Sequence, residues 1–205
     1  MKRFTTILVA AAVVLLAASP AMAHEKGSWI LRAGVGTVAP ESDNLDLGAG
    51  GVIEVDNGTS LTLTGTYMIT QNWAFDILAA WPFSHDIELN GVTVASTDHL
   101  PPTFSGQYHF IPDGKFQPYI GLGLNYTTFF STDTEGPLGG SSLSIDDSFG
   151  LAAQLGADIE LNEKWVINLD LRYISIEADA TLDGADLGKV EINPWVYAIS
   201  VGRRF

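Results

Sequence analysis

The stretch Gln117-Pro118-Tyr119-Ile120-Gly121-Leu122-Gly123-Leu124-Asn125-Tyr126 alternates with period two. Ile120, Leu122, Leu124 and Tyr126 fall on one face, with Gln117, Tyr119, Gly121, Gly123 and Asn125 on the other. Successive side chains of a strand leave the pleated backbone on opposite sides, so this reads as a strand with one apolar face. The same alternation marks seven further stretches. Together the eight are Ser28–Val38, Thr59–Thr70, Trp73–Phe83, Pro102–Phe110, Phe116–Phe129, Ser148–Leu161, Trp165–Ile176 and Val190–Phe205. None carries a 3.6-residue amphipathic period, and the expected fold class is all-β.

Connection lengths set the topology. Short links such as Thr70-Gln71-Asn72, Ile111–Lys115 and Asn162-Glu163-Lys164 alternate with long ones at Ala39–Gly58, Ser84–Pro101, Phe130–Asp147 and Glu177–Lys189. Short turns at one end and long loops at the other are the layout of an eight-stranded antiparallel transmembrane β-barrel, with turns in the periplasm and loops outside.

The chain has 205 residues, no cysteine and a formal charge of −14. Absent thiols exclude a disulfide framework and a zinc-thiolate site. The negative charge argues against nucleic acid, which needs clustered Lys and Arg. Lys2-Arg3, an apolar run of about 12 residues and the small-residue ending Ala21-Met22-Ala23 read as a signal peptide over residues 1–23. The run is short of the roughly 20 residues that a membrane-spanning helix needs. Residues 24–205 are then the exported barrel.

Alternation alone does not say whether the apolar face points in or out. The polar face carries Arg32, Asp76, His109, Asp158, Asp170 and Arg172. Unpaired charges cost several kcal/mol each in an apolar interior, whereas in a narrow lumen they can pair with one another. Aromatics cluster at strand ends: Trp29, Trp73, Phe110, Phe116, Trp165 and Phe205 at the short-turn end, Trp81, Phe83, Phe104, Phe129 and Trp195 at the long-loop end. Two aromatic rings suit the two interfaces of a bilayer. The apolar face is therefore read as the lipid face. Gly27-Ser28-Trp29 also fits the opening of a lipocalin, but that fold has a polar exterior and usually a helix after its strands.

Several segments resemble the OmpW family of outer-membrane proteins, with its OprG and AlkL relatives. They are Leu63–Met68, Trp81-Pro82-Phe83-Ser84-His85, Leu100-Pro101-Pro102-Thr103, Gln117–Phe130, Asp147–Leu151, Asn193-Pro194-Trp195 and Gly202-Arg203-Arg204-Phe205. The resemblance implies a barrel in the bacterial outer membrane that takes up small hydrophobic molecules and releases them sideways through its wall. It also implies that the terminal Phe205 is a signal for the barrel-assembly machinery.

Proline placement bears on that lateral route. Pro82 lies at the outer end of the third stretch, and Pro101-Pro102 begin the fourth. Proline donates no backbone hydrogen bond and weakens a ladder, so a lateral opening is expected between Pro82 and the Pro101-Pro102 pair. Inward positions at that end are apolar: Leu78, Ala80, Ile192 and Val196, joined by Ile174. Below them, Arg32, Asp76, Asp158, Asp170 and Arg172 are expected to fill and rigidify a polar lumen, since eight strands leave just enough room for side chains.

The long connections carry most of the acidic residues and a single base, Lys189. They read as a solvated surface, one that divalent cations could bridge to lipopolysaccharide, although no D-x-[DN]-x-[DN]-G loop is present. Catalysis lacks a motif. Ser105 and His109 sit four residues, or roughly 13 Å, apart along a strand, and His85 and His99 share a polar connection with Asp86 and Asp98. The expectation is a monomeric, cofactor-free, non-enzymatic barrel, with docking of phage, toxin or host molecules through its loops as the alternative.

Overall fold

A computed structural model describes residues 25–205; the signal-peptide reading lies outside the described residues. The strands, in chain order, are β1 (Trp29–Ala39), β2 (Leu45–Asp46), β3 (Val52–Val55), β4 (Gly58–Met68), β5 (Trp73–Ala80), β6 (Phe83–Leu89), β7 (Val92–Leu100), β8 (Thr103–His109), β9 (Phe116–Thr134), β10 (Leu143–Ile145), β11 (Ser148–Glu160), β12 (Trp165–Ile174), β13 (Glu177–Leu182), β14 (Ala185–Glu191) and β15 (Trp195–Arg204). Eight of them, β1-β4-β5-β8-β9-β11-β12-β15, pair antiparallel in that order, and β15 returns to β1 to close the barrel. Closure pairs the last spanning strand with the first, the condition for crossing lipid with strands. Its last stitch is the chain end: Phe205 N–H donates to Trp29 O at 2.8 Å, and Trp29 N–H to Phe205 O at 3.0 Å.

The four long connections are not loops. Each folds into strands that carry the barrel wall outward. β6 and β7 form a hairpin, with β3 and then β2 added to β6, while the far end of β9 pairs β7. On the other side, β10, β13 and β14 make a three-stranded sheet. Asn44 joins the two halves. Its Nδ2 donates to the carbonyls of Glu191 (2.8 Å) and Glu41 (2.9 Å), its Oδ1 accepts from Val55 N–H (2.8 Å), and its own carbonyl accepts from Glu191 N–H (2.9 Å). Turn signals such as Asn90-Gly91 and Asp183-Gly184, all four with positive φ, explain the hairpins.

Burial is inverted relative to a soluble protein. Leu61, Leu122, Leu151 and Ile199 are exposed, while Arg32, Asp76, Gln107, His109, Gln117 and Asp158 are buried. All five tryptophans face outward at the strand ends, but two other aromatics do not keep their expected places. Phe83 and Phe129 point inward, Phe83 being only 1% exposed. The cause is a slip at Trp81-Pro82. Trp81 is exposed, and the residues after Pro82 resume with Phe83, His85 and Ile87 on the inside, so the odd positions change face. A one-residue offset exchanges the two faces of a strand.

Eight strands leave little lumen, and glycine is needed where side chains cross it. A Cβ at Gly156 would lie 2.4 Å from Tyr119 Oη and 2.8 Å from Leu169 O. Gly156→Ala is expected to push Tyr119 aside and lower stability by about 1–3 kcal/mol, measurable by urea unfolding of the barrel in lipid vesicles.

Candidate functional site

The floor of the barrel is a closed ring of polar side chains. Arg32 grips Asp158 with both forks, Nε–Oδ1 at 2.9 Å and Nη2–Oδ2 at 2.5 Å. Its Nη1 donates to Thr66 Oγ1, which donates to Asp76 Oδ1 at 2.6 Å. Asp76 Oδ2 accepts from Arg172 Nη2 at 2.9 Å, and Arg172 Nε donates to Asp170 Oδ1 at 2.7 Å. Asp170 Oδ2 accepts from Tyr119 Oη at 2.8 Å; Asn168 Nδ2 then donates to both Tyr119 Oη and Asp158 Oδ1 at 2.9 Å, completing the circuit. Gln154, held by Gln107, adds a further donor to Asp170.

The five lumen charges read from sequence thus meet in one network. Thr66, Tyr119 and Asn168 link them; each has the parity of the polar face of its strand and no charge to single it out. Inward-facing positions on six of the eight barrel strands are needed to bring these side chains to one level, and no local motif announces that.

Above the ring lies an apolar septum. Ile174, Ile192 and Val196 pack with Val38, Phe83 and Ile176, and Ala80 leans against them. Leu78 sits beneath, lining a cavity of about 20 Å³ that also touches Phe83, Pro101, Asp170 and Arg172. The five apolar positions expected in the upper lumen are therefore adjacent, and they form a lid over the charged floor.

Higher still, the strand extensions enclose an apolar chamber. Its walls include Leu45, Ile53, Ile87, Val94, Leu138 and Ile145, around a void of about 60 Å³. An engineered cavity of about 150 Å³ holds benzene. A solute of that size enters this chamber only if lining side chains move apart. The polar residues in the wall are His85, Thr97 and His99. These were missed as chamber residues because Ser84–Pro101 reads as a loop, and because the slip at Pro82 is what turns His85 inward.

Beside the septum the wall is incomplete. Pairing of β5 with β8 ends at Leu78–Thr103, and pairing of β6 with β7 starts at Phe83–His99. Residues 79–82 and 100–102, which contain Pro82, Pro101 and Pro102, have no ladder partners across this seam. Each flank is anchored away from it, by Trp81 N–H on Leu61 O at 2.8 Å and Tyr126 N–H on Pro102 O at 3.0 Å. At the opposite end, the ring of Phe205 lies under the Arg203 guanidinium at 5.1 Å, and Trp165 lies 5.8 Å from the same group.

A closed eight-stranded barrel with an apolar outer wall, two aromatic belts and a polar plug is an outer-membrane β-barrel. The comparisons with known proteins agree: residues 25–205 match the OmpW family, and the chain belongs to it. It is 44% identical to outer membrane protein W of Vibrio cholerae, over 98% of this chain and 99% of that one. The crystal structure of outer membrane protein OprG from Pseudomonas aeruginosa is 36% identical and superimposes with a TM-score of 0.79, covering 89% of this chain and 98% of that one. The solid-state NMR structure of outer membrane protein AlkL in DMPC bilayers is 25% identical with a TM-score of 0.69, over 92% and 94%.

Breaking the ring at one point leaves a buried charge without its partner. Arg32→Met strands Asp158 and is expected to cost about 3–5 kcal/mol, read from the urea midpoint of the refolded barrel.

Proposed function

We propose that this barrel passes small hydrophobic molecules from outside the cell into the outer membrane, with lateral release at the seam beside Pro82 and no covalent chemistry or cofactor. The observation that carries this reading is the vertical order of environments: apolar chamber, apolar septum, then a sealed ring of charges. An apolar solute that reached the septum would meet desolvated, mutually paired ions below it, and displacing them is costly. The unpaired segment formed by residues 79–82 and 100–102 lies at that same height, because Pro101 and Leu78 line the cavity between septum and ring.

In this reading Pro82, Pro101 and Pro102 keep the seam from zipping shut, since none of them can donate to a ladder. Leu78, Ala80, Ile174, Ile192 and Val196 make the surface over which the solute turns. The lumen charges Arg32, Asp76, Asp158, Asp170 and Arg172 bar passage to the periplasm. Phe205, hydrogen-bonded to the first strand, is the terminal signal on which the barrel-assembly machinery would act. The acidic outer strands face lipopolysaccharide, and a monomer suffices for the whole route.

Uptake into proteoliposomes tests the reading with a panel of apolar and small polar solutes. Wild type is expected to pass apolar solutes and exclude polar ones, with uptake reduced several-fold by Pro82→Ala and abolished by Leu78→Arg. Equal flux of polar solutes would establish an aqueous pore instead. Absence of any flux would leave docking through the outer strands as the function.

A further inference from the structure

The chamber wall holds two histidines, each with a ring nitrogen that the described residues leave unpartnered. His85 on β6 and His99 on β7 stack with ring centroids 4.8 Å apart and planes at 27°. Phe83 and Phe129 flank His99 at 5.5 Å and 5.8 Å. The residues are 4% and 3% exposed, yet among the described residues His85 Nε2 and His99 Nε2 have no hydrogen-bond partner. Thr97, the third polar residue of the wall, is already engaged with Thr132 at 3.0 Å.

The tautomer of His85 follows from its neighbour. Nδ1 lies 2.5 Å from the carbonyl oxygen of Asp56. A carbonyl only accepts, so Nδ1 carries the proton and Nε2 of the neutral ring presents a lone pair. Gly58 backs onto that edge: a Cβ there would lie 2.7 Å from Nε2, so glycine is what keeps a side chain from filling the space beside it. Burial favours the neutral form of both rings. It lowers the His85 pKa against the pull of the Asp56 carbonyl and the Asp56, Asp86 and Asp98 carboxylates, and it holds His99 down at about 3, helped by the neighbouring His85. Buried acceptors without partners are uncommon and costly, and a ligand that supplies the missing donor gains from that cost.

We propose that the stacked His85–His99 pair is the selectivity element of the chamber, favouring small apolar molecules that bear one hydroxyl group over those that bear none. The hydroxyl donates to His85 Nε2, while the hydrocarbon body lies against Ile87, Val94 and Ile176. His99, able to adopt either tautomer, accepts from or donates to the same oxygen. An ether or a hydrocarbon of equal size cannot donate and leaves Nε2 unpartnered. This inference rests on the chamber being part of the solute path.

The test uses the full barrel in lipid nanodiscs, with empty nanodiscs as the partition reference, and two isomers of one formula, p-cresol and anisole. The expected result is p-cresol bound about tenfold more tightly, equivalent to ~1.4 kcal/mol. The ¹⁵N resonance of His85 Nε2 should shift upfield on binding, and anisole should leave it in place. His85→Phe is expected to remove the preference while anisole binding persists. His99→Phe, which replaces one ring by another between Phe83 and Phe129, should weaken the preference without unfolding the barrel. Equal binding of the two isomers, or a preference that survives both substitutions, overturns the proposed selectivity and leaves the chamber as a plain apolar site. Failure of both isomers to bind above the nanodisc background overturns the chamber reading and this inference together.

Discussion

The circuit from Asp158 through Arg32, Thr66, Asp76, Arg172, Asp170, Tyr119 and Asn168 back to Asp158 is the interaction on which the rest of the barrel depends. Its members come from β1, β4, β5, β9, β11 and β12, so it ties most of the wall together across the lumen. A barrel in lipid gains little from burying apolar surface inside itself, because its outer face already meets hydrocarbon. Internal cohesion must come from hydrogen bonds and packing, and charged groups are tolerable inside only when every one is paired. Two guanidiniums against three carboxylates, with Tyr119, Asn168, Gln154 and Thr66 supplying further donors, meet that requirement. The same circuit spans the lumen below the septum, and in the proposed route it is the barrier that turns an apolar solute toward the wall.

Each layer above the circuit is made by a different feature of the sequence. The septum comes from inward-facing Ile174, Ile192 and Val196, at the outer ends of β12 and β15 and in the link from β14 to β15. The chamber comes from the outer hairpins, whose apolar residues face one another because Asn44 stitches one sheet to the other. The seam comes from unequal spacing: four residues on the β5–β6 side face three on the β7–β8 side, and three of the seven are proline. That inequality has two effects, since it leaves the ladder open and turns His85 into the chamber.

Much of this was legible in the chain. Period-two alternation located the eight spanning strands to within a few residues, because lipid on one side and a packed lumen on the other impose it on every strand. The identity of the lumen charges followed from the same parity. Their mutual contacts did not, since pairing across a closed barrel depends on register and tilt, which alternation leaves unspecified. The outer hairpins were read as loops because their strands are short, acidic on the outside and interrupted at Ser131 and Asp183, residues with positive φ. Phe83 and Phe129 were placed in the outer aromatic belt by extending a parity that fails at Trp81-Pro82 for one and by position at a strand end for the other. Proline marked the place where the rule would break, but not the direction of the slip.

In the proposed route solutes leave through the seam and not through the floor. The natural chain has no cysteine, so a single pair can be introduced at Ala80 and Pro101, the positions that continuing the Leu78–Thr103 register would set opposite each other. The decisive measurement is uptake of an apolar solute into proteoliposomes by this double variant, first oxidised and then reduced. Lateral release predicts uptake that is lost when the disulfide closes the seam and restored when it is reduced. Undiminished uptake by the fully cross-linked barrel would contradict it and move the exit elsewhere.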